Sequence, residues 1–395
     1  MPSLQSNSFA YPLIIGLVLT GAWPTFGAES PIKDESSTAK HSTDWPVFRG
    51  DQQSTGAASE SLPVKLKVLW QYKVEGKNRG FDATPVVVDG TIYIADLGNF
   101  DGRLYAIDLA TGKERWQVTT DSDFVAAAAV DNNRVYVGDI DGRFYCFDAA
   151  TGREIWKIES NGEITSGANF FGDKVLFGSQ DGALYCLNKS DGKLAWKYSI
   201  DNQIRCAPTV VESRAFVAGC DEKFHIVDLS TGEASATVSI HSPTGVTPAA
   251  RGDHVFFGTE GSAFFCIDWR RAKVVWTFED GSRRQPLRSP PAIVDGFVVF
   301  GGHSKRIYAV DPKTGELKWE FVTRRRVESG PVISGKQVFA TATDGRLHAL
   351  DLESGKELWQ YEAMGGFIGS PAIADKRLVV ATDEGVIYCF GGEKK

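Results

Sequence analysis

The sequence is poor in the residues from which most reaction centres are built. Its six histidines, at 41, 225, 241, 254, 303 and 348, show no HExxH or other metal spacing. No GxSxG elbow, P-loop or dinucleotide fingerprint occurs, and no set of nucleophile, base and orienting group is found. The six cysteines include no adjacent pair. Basic residues are not in excess: 43 Lys plus Arg against 50 Asp plus Glu leave a net charge of −7. That balance excludes a nucleic-acid binder, which needs a dense cationic surface to neutralise phosphates. No apolar run reaches the length of a membrane span; the longest, Tyr11 to Trp23, is broken by Pro12, Gly16 and Gly21.

That run precedes the first charged residue, Glu29, and is followed by small residues, so it reads as a secretory leader over 1–28 with Gly27 or Ala28 at the cleavage point. The stretch ESPIKDESSTAKHST, residues 29–43, has almost no large apolar side chain and reads as a tether. No cysteine lies near the cleavage region, so no lipid anchor is expected. The folded part is assigned to 44–392 as a single domain, without an integral membrane segment, in an exported, periplasmic or envelope-associated protein.

What the chain has in abundance is repetition. Trp116, Trp156, Trp196 and Trp276 lie at multiples of 40 residues, and Trp319 and Trp359 follow. Only the slot at Ala236 lacks its Trp. Each Trp closes a unit of a Pro-containing strand, a Val/Tyr/Phe-rich strand, an Asp-Gly turn, a Tyr-rich strand and an Asp-x-x-Thr-Gly turn. Asp101-Gly102, Asp141-Gly142, Asp181-Gly182 and Asp344-Gly345 suit tight hairpins, because Gly tolerates the positive φ such turns require. Asp108, Asp148, Asp228 and Asp311 recur before the second turn, which marks them as turn caps rather than catalytic acids. Seven repeats run from about Phe81 to Tyr361, and an eighth stops after three strands at Phe390. Its missing Trp strand is found at the other end of the chain, in VLWQYKV around Trp70. Pairing the two closes a ring and removes exposed sheet edges. The expectation is therefore an all-β, eight-bladed β-propeller of four-stranded antiparallel blades, closed by the N-terminal strand and monomeric, with Trp70, Trp116, Trp156, Trp196, Trp276, Trp319 and Trp359 as structural blade residues.

Blades such as VYVGDIDGRFYCFDAATGREIW resemble the PQQ-like β-propeller repeat family, and DWPVFRGD, residues 44–51, resembles the opening of exported members of that family. The resemblance covers about Phe81 to Phe390. Two branches bear on function. One is the BamB-like outer-membrane assembly factor, a non-catalytic lipoprotein, here without its lipid-accepting cysteine. The other is the quinoprotein alcohol dehydrogenases, which add long loops, a vicinal cysteine pair, calcium and an Asp base. The present blades are near minimum length, with insertions only around Leu97 to Phe100 and Arg283 to Pro286, so little chain is left to wall a quinone pocket. The reading is an exported non-catalytic scaffold with no catalytic residue, cofactor or metal; a PQQ-dependent dehydrogenase is the alternative, and polysaccharide binding by Phe100, Trp269 and Phe367 a further one.

Cys146, Cys186, Cys266 and Cys389 hold one equivalent third-strand position and read as small core fillers. Cys206 and Cys220 lie at opposite ends of one hairpin. A disulfide between them is open, but aligning Pro85 with Pro208 sets Cys206 against Gly219, so two thiols are the default. The loops joining one blade to the next gather on one rim. Those entering blades 6 and 7 bring Arg283, Arg284, Leu287, Arg288, Arg324, Arg325 and Arg326; those entering blades 2 and 3 bring Asp121, Asp123, Glu159 and Glu163. The arginine sector is the candidate surface for an acidic envelope protein, since guanidinium forks pair bidentately with carboxylates. The assembly factors bind their partner through a Leu-x-Leu-Arg run, to which Leu287-Arg288 and Ile204-Arg205 are the nearest matches.

Overall fold

Three strands of each repeat carry apolar side chains at consecutive positions, whereas the fourth alternates. Such a pattern demands sheets covered on both faces except at their outer edge. The computed structural model, which describes residues 43–281 and 283–392, meets that demand with eight antiparallel sheets arranged as blades. Blade 1 comprises Val86–Val88, Thr91–Ala95, Arg103–Asp108 and Glu114–Thr119. The same four-strand meander recurs in blades 2 to 7, ending at Glu357–Glu362. In every blade the middle strands are buried along nearly their whole length, and the outer one exposes alternate residues. The expected leader and most of the expected tether lie outside the described residues. Among those described, no helix is long and apolar enough to cross a membrane.

Blade 8 contains Ala372–Ala374, Arg377–Ala381 and Val386–Gly391, and its outer strand is Lys67–Lys73. Trp70 stands opposite Cys389, as Trp156 stands opposite Cys146 in blade 2. The ring is thus closed by the N-terminal strand. Between blades, rings stack: Phe144 on Phe177 at 4.0 Å and Phe264 on Phe300 at 3.8 Å, with planes within 16° of parallel.

The tryptophans hold each blade to the next. The indole N–H of Trp70, Trp116, Trp156, Trp196, Trp276 and Trp319 donates to a backbone carbonyl in the following blade at 2.8–3.1 Å. Each of these rings lies against the glycine of that blade's last turn; at Gly192, for example, a Cβ would fall within 2.8 Å of the Trp156 ring. Blade 4 lacks this latch at Ala236, and blade 5 has lost the matching glycine. There Trp269 enters from the opposite side. It is buried, packs on Phe216 at 5.5 Å and donates to Gly252 O, filling the space beside Ala236. The repeated turn aspartates are caps: Asp108 Oδ1 accepts from both N and Oγ1 of Thr111, and Asp148, Asp228 and Asp351 bond likewise.

Sequence reading missed one element. Residues 43–62, including the motif DWPVFRGD, form a strap threaded around the inner wall of the ring. The innermost strand of a blade has an edge facing the axis, where unpaired N–H and C=O groups need partners. The strap supplies them in turn. Trp45 exchanges two backbone bonds with Val87, Pro46 accepts from Val130, Gln52 from Val210, Gln53 from Ala250, Thr55 from Ile293 and Gly56 from Ile333. In blade 3 the Asn169 amide bonds Gln52 O, and at blade 8 Thr43 Oγ1 donates to Asp375. Ala57–Ala58 then runs parallel to Ile333–Ser334 as a fifth strand of blade 7.

Candidate functional site

The strap closes one end of the axial channel. Its Arg49 is fully buried, and the guanidinium donates to the carbonyls of Gly330, Pro291 and Pro331, in blades 6 and 7. Burial pushes the Arg49 side chain down to about 9, against the nearby Asp51 charge that pulls it back. A Cβ on Gly56 or Gly330 would fall on the guanidinium, so both glycines are there for close approach.

Above the strap, the opposite end of the channel opens as a funnel of about 720 Å³ with Phe48 of the strap among its lining residues. All eight blades line it through their entry loops. In three repeats a Ser or Thr hydroxyl at the residue before the proline slot ties neighbouring loops: Thr247 Oγ1 accepts from Ala207 N, Ser370 Oγ from Gly330 N, and Thr84 Oγ1 from Ser370 N, each at 2.8–2.9 Å. Ser166 Oγ, buried in the wall, has no partner among the described residues. The minimum-length blades therefore do leave a walled pocket, contrary to expectation. It needs no long insertions, because eight short loops and the strap share the lining.

Charge in the funnel is mostly paired. Arg288 Nε lies 2.8 Å from Glu260, and Glu328 receives Arg326 Nε at 2.8 Å and His303 Nε2 at 2.9 Å. Burial, with Asp383 alongside, pushes the Asp82 carboxyl upward. Arg205 lines the wall and donates Nε to the Gln203 side chain at 2.8 Å. The funnel carboxylates do not converge: among the described residues no group of three His, Cys, Asp or Glu could hold a metal.

The structure divides the predicted arginine surface. Arg283 is engaged with Asp280 and, at 3.5 Å, with Glu320, while Arg288 and Arg326 are paired as above. Arg284, Arg324 and Arg325 are exposed and face no carboxylate within ion-pair distance among the described residues. Leu287 is no surface contact at all: it is 1% exposed, in the core between blades 5 and 6. The position four residues before each proline slot is apolar and buried around most of the ring, at Phe81, Phe124, Ile164, Ile204, Leu287, Val327 and Phe367. That regularity was available in the sequence. On the acidic side Asp121 is exposed and paired with Arg143, Glu159 and Glu163 are exposed, and Asp123 is buried, accepting from the amides of Gly98 and Phe100. Of the aromatics proposed for polysaccharide, only Phe100 is exposed, at 71%; Trp269 and Phe367 are core residues, at 7% and 0%. All six cysteines are free thiols, Cys206 pointing at Ala218 O and Cys220 at Thr244 O.

An eight-bladed propeller with Trp-latched PQQ-like repeats defines a repeat scaffold shared by binding proteins and redox enzymes. The family model described as outer membrane protein assembly factor BamB matches residues 67–163 and 141–391, and the chain belongs to that family. Among solved structures it is similar to BamB from Moraxella catarrhalis, with a TM-score of 0.71 and 17% identity over 83% of this chain and 100% of the other. It is also similar to quinohemoprotein alcohol dehydrogenase from Comamonas testosteroni, with a TM-score of 0.77 and 17% identity over 91% and 82%. At these identities the likeness is one of fold. A curated protein, again quinohemoprotein alcohol dehydrogenase from Comamonas testosteroni, is 31% identical over 118 residues, a stretch that spans 26% of this chain and 16% of that protein.

Proposed function

We propose that this chain is an exported, non-catalytic scaffold of the cell envelope that holds an acidic protein partner against its loop face. The observation that carries the reading is the group Arg284, Arg324 and Arg325, exposed in the loops entering blades 6 and 7 with no carboxylate within ion-pair distance among the described residues. Arginines free of internal partners keep their bidentate donors for another surface. Membership of the assembly-factor family supports a protein partner. The test replaces Arg284, Arg324 and Arg325 by Ser and compares the proteins recovered from envelope extract with those recovered by the unaltered chain. Selective loss of a partner supports the reading; identical recovery overturns it.

The funnel favours a second reading, because its volume is in the range of small-molecule sites. A quinone-dependent dehydrogenase remains the alternative on that ground and on the local likeness to the Comamonas enzyme. Titration of the purified chain with PQQ and calcium, read by absorbance and by alcohol-dependent dye reduction, distinguishes the two: a spectral change with turnover supports the enzyme, and an unchanged spectrum supports the scaffold.

A further inference from the structure

The arginine loops and the acidic loops lie on opposite sides of one rim, and this opposition has a symmetry consequence. In a ring of eight blades each occupies about 45°. The loops entering blades 6 and 7 centre on blade 6, those entering blades 2 and 3 on blade 2, and four blades separate the two, which is half a turn. A surface polarised across its diameter is complementary to itself under a two-fold axis lying in the face, because that operation exchanges the two poles.

From this we infer that the loop face is a self-association surface, on which a second copy of the chain docks face to face about a two-fold axis running through blades 4 and 8. The register follows from the symmetry. The axis sets the Arg324–Arg326 loop of one copy over the loop into blade 2 of the other, where Asp121, paired with Arg143 of its own chain, is still 81% exposed and keeps its second oxygen for an incoming guanidinium. It sets the Arg283–Arg284 loop over the loop carrying Glu163. Both pairings occur twice, as an isologous interface requires.

Apolar exposure points the same way. Among the described residues Phe100 and Met364 are the two most exposed large hydrophobic side chains, each at 71%, and both lie on this face. The Phe100 amide is bonded to Asp123, so its ring accompanies the loop into blade 2 and meets the opposing arginines, where a guanidinium over a ring adds a cation–π contact. Met364 stands at the entry to blade 8, close to the axis. Ring closure was the basis for expecting a monomer. It removes strand edges as a route to association but does nothing to a charged loop face. The inference goes beyond the partner reading, and one face cannot serve both occupants at once, so the partner and the second copy compete.

The experiment is a charge exchange on the full chain. Sedimentation of the unaltered protein should show concentration-dependent dimers that weaken as salt rises from about 0.1 to 0.5 M, as screened ion pairs do. R324E/R325E and D121R should each sediment as monomers, at least about tenfold weaker in association. Mixed together they should dimerise again: one half of the interface then carries the reversed pair and the other half the native pair, both attractive. Phe100→Ser should weaken the dimer without reversing any charge. Thermal unfolding of each variant within a few degrees of the parent verifies folding. A chain that is monomeric at every concentration, a dimer indifferent to R324E/R325E, or a mixture that stays monomeric would each overturn the inference. Pull-down by the same variants is read separately, so loss of the dimer with retained partner selectivity leaves the partner reading standing.

Discussion

Replacing Arg49 by Ala should be among the most damaging single changes in the ring, although it lies in no blade. The side chain is fully buried and donates to three carbonyls, those of Gly330, Pro291 and Pro331, which are 242 to 282 residues away in sequence. Removal leaves three buried acceptors without a donor, at about 1–3 kcal/mol each. Water entering the vacated space, and the relief of a desolvated charge, offset much of that sum. A net loss of about 3–5 kcal/mol is expected, the range found when one member of a buried charged network is deleted. For a chain of this size that is a fall of roughly 4–7 °C in Tm. Arg49→Lys keeps the charge but not the planar fork, and should lose about half as much. The assay is thermal unfolding followed by tryptophan fluorescence, paired with limited proteolysis across residues 43–62. Arg49→Ala should speed cleavage there without exposing sites inside the blades. A variant with unchanged Tm and an equally protected strap would refute the reasoning, because it would mean that the strap is held by its backbone bonds alone.

Two further outcomes follow from the packing. Restoring the repeat pattern by Ala236→Trp should lower Tm, since Trp269 already fills that space and overpacking costs about 1–3 kcal/mol; a rise in Tm would contradict the account of the exchanged tryptophan. Burial pushes the thiols of Cys186, Cys206, Cys266 and Cys389 up to about 12 and that of Cys146 to about 11, so they stay protonated at pH 8; Cys220, half-buried, should be the one that reacts with a thiol reagent in the native chain, and all six should react after unfolding without reductant, fewer than six meaning a disulfide.

The blades were legible because repetition writes the same physical requirement many times. A Trp every 40 residues, a glycine for each indole to cover and an apolar third strand cannot recur by accident, and the unpaired Trp70 segment named its own partner. The strap was illegible for the opposite reason. DWPVFRGDQQSTGAA has no period because it passes from blade to blade within a few residues, so no internal comparison reveals that its amides and carbonyls are spoken for. Leu287 and Phe367 were misplaced by reading single loops; laid beside Phe124, Ile164 and Val327 they fall in one buried column. Trp269 was misplaced because it breaks the repeat, compensating Ala236 across a blade boundary that only coordinates show. The arginine surface was half legible: charge position follows from sequence, but which guanidinia are already engaged by Asp280, Glu260 and Glu328 does not.

The strap and the Trp70 strand also set an order of events. Arg49 of the strap and the Trp70 strand find their partners in blades 6, 7 and 8, more than 240 residues further along the chain. Until the final strand is delivered, the Trp70 strand has no strand to pair with and the circle stays open at blade 8. The protein therefore finishes by its beginning, like a belt whose buckle is made before the leather, and its slow folding step should be the fastening rather than the growth of any blade.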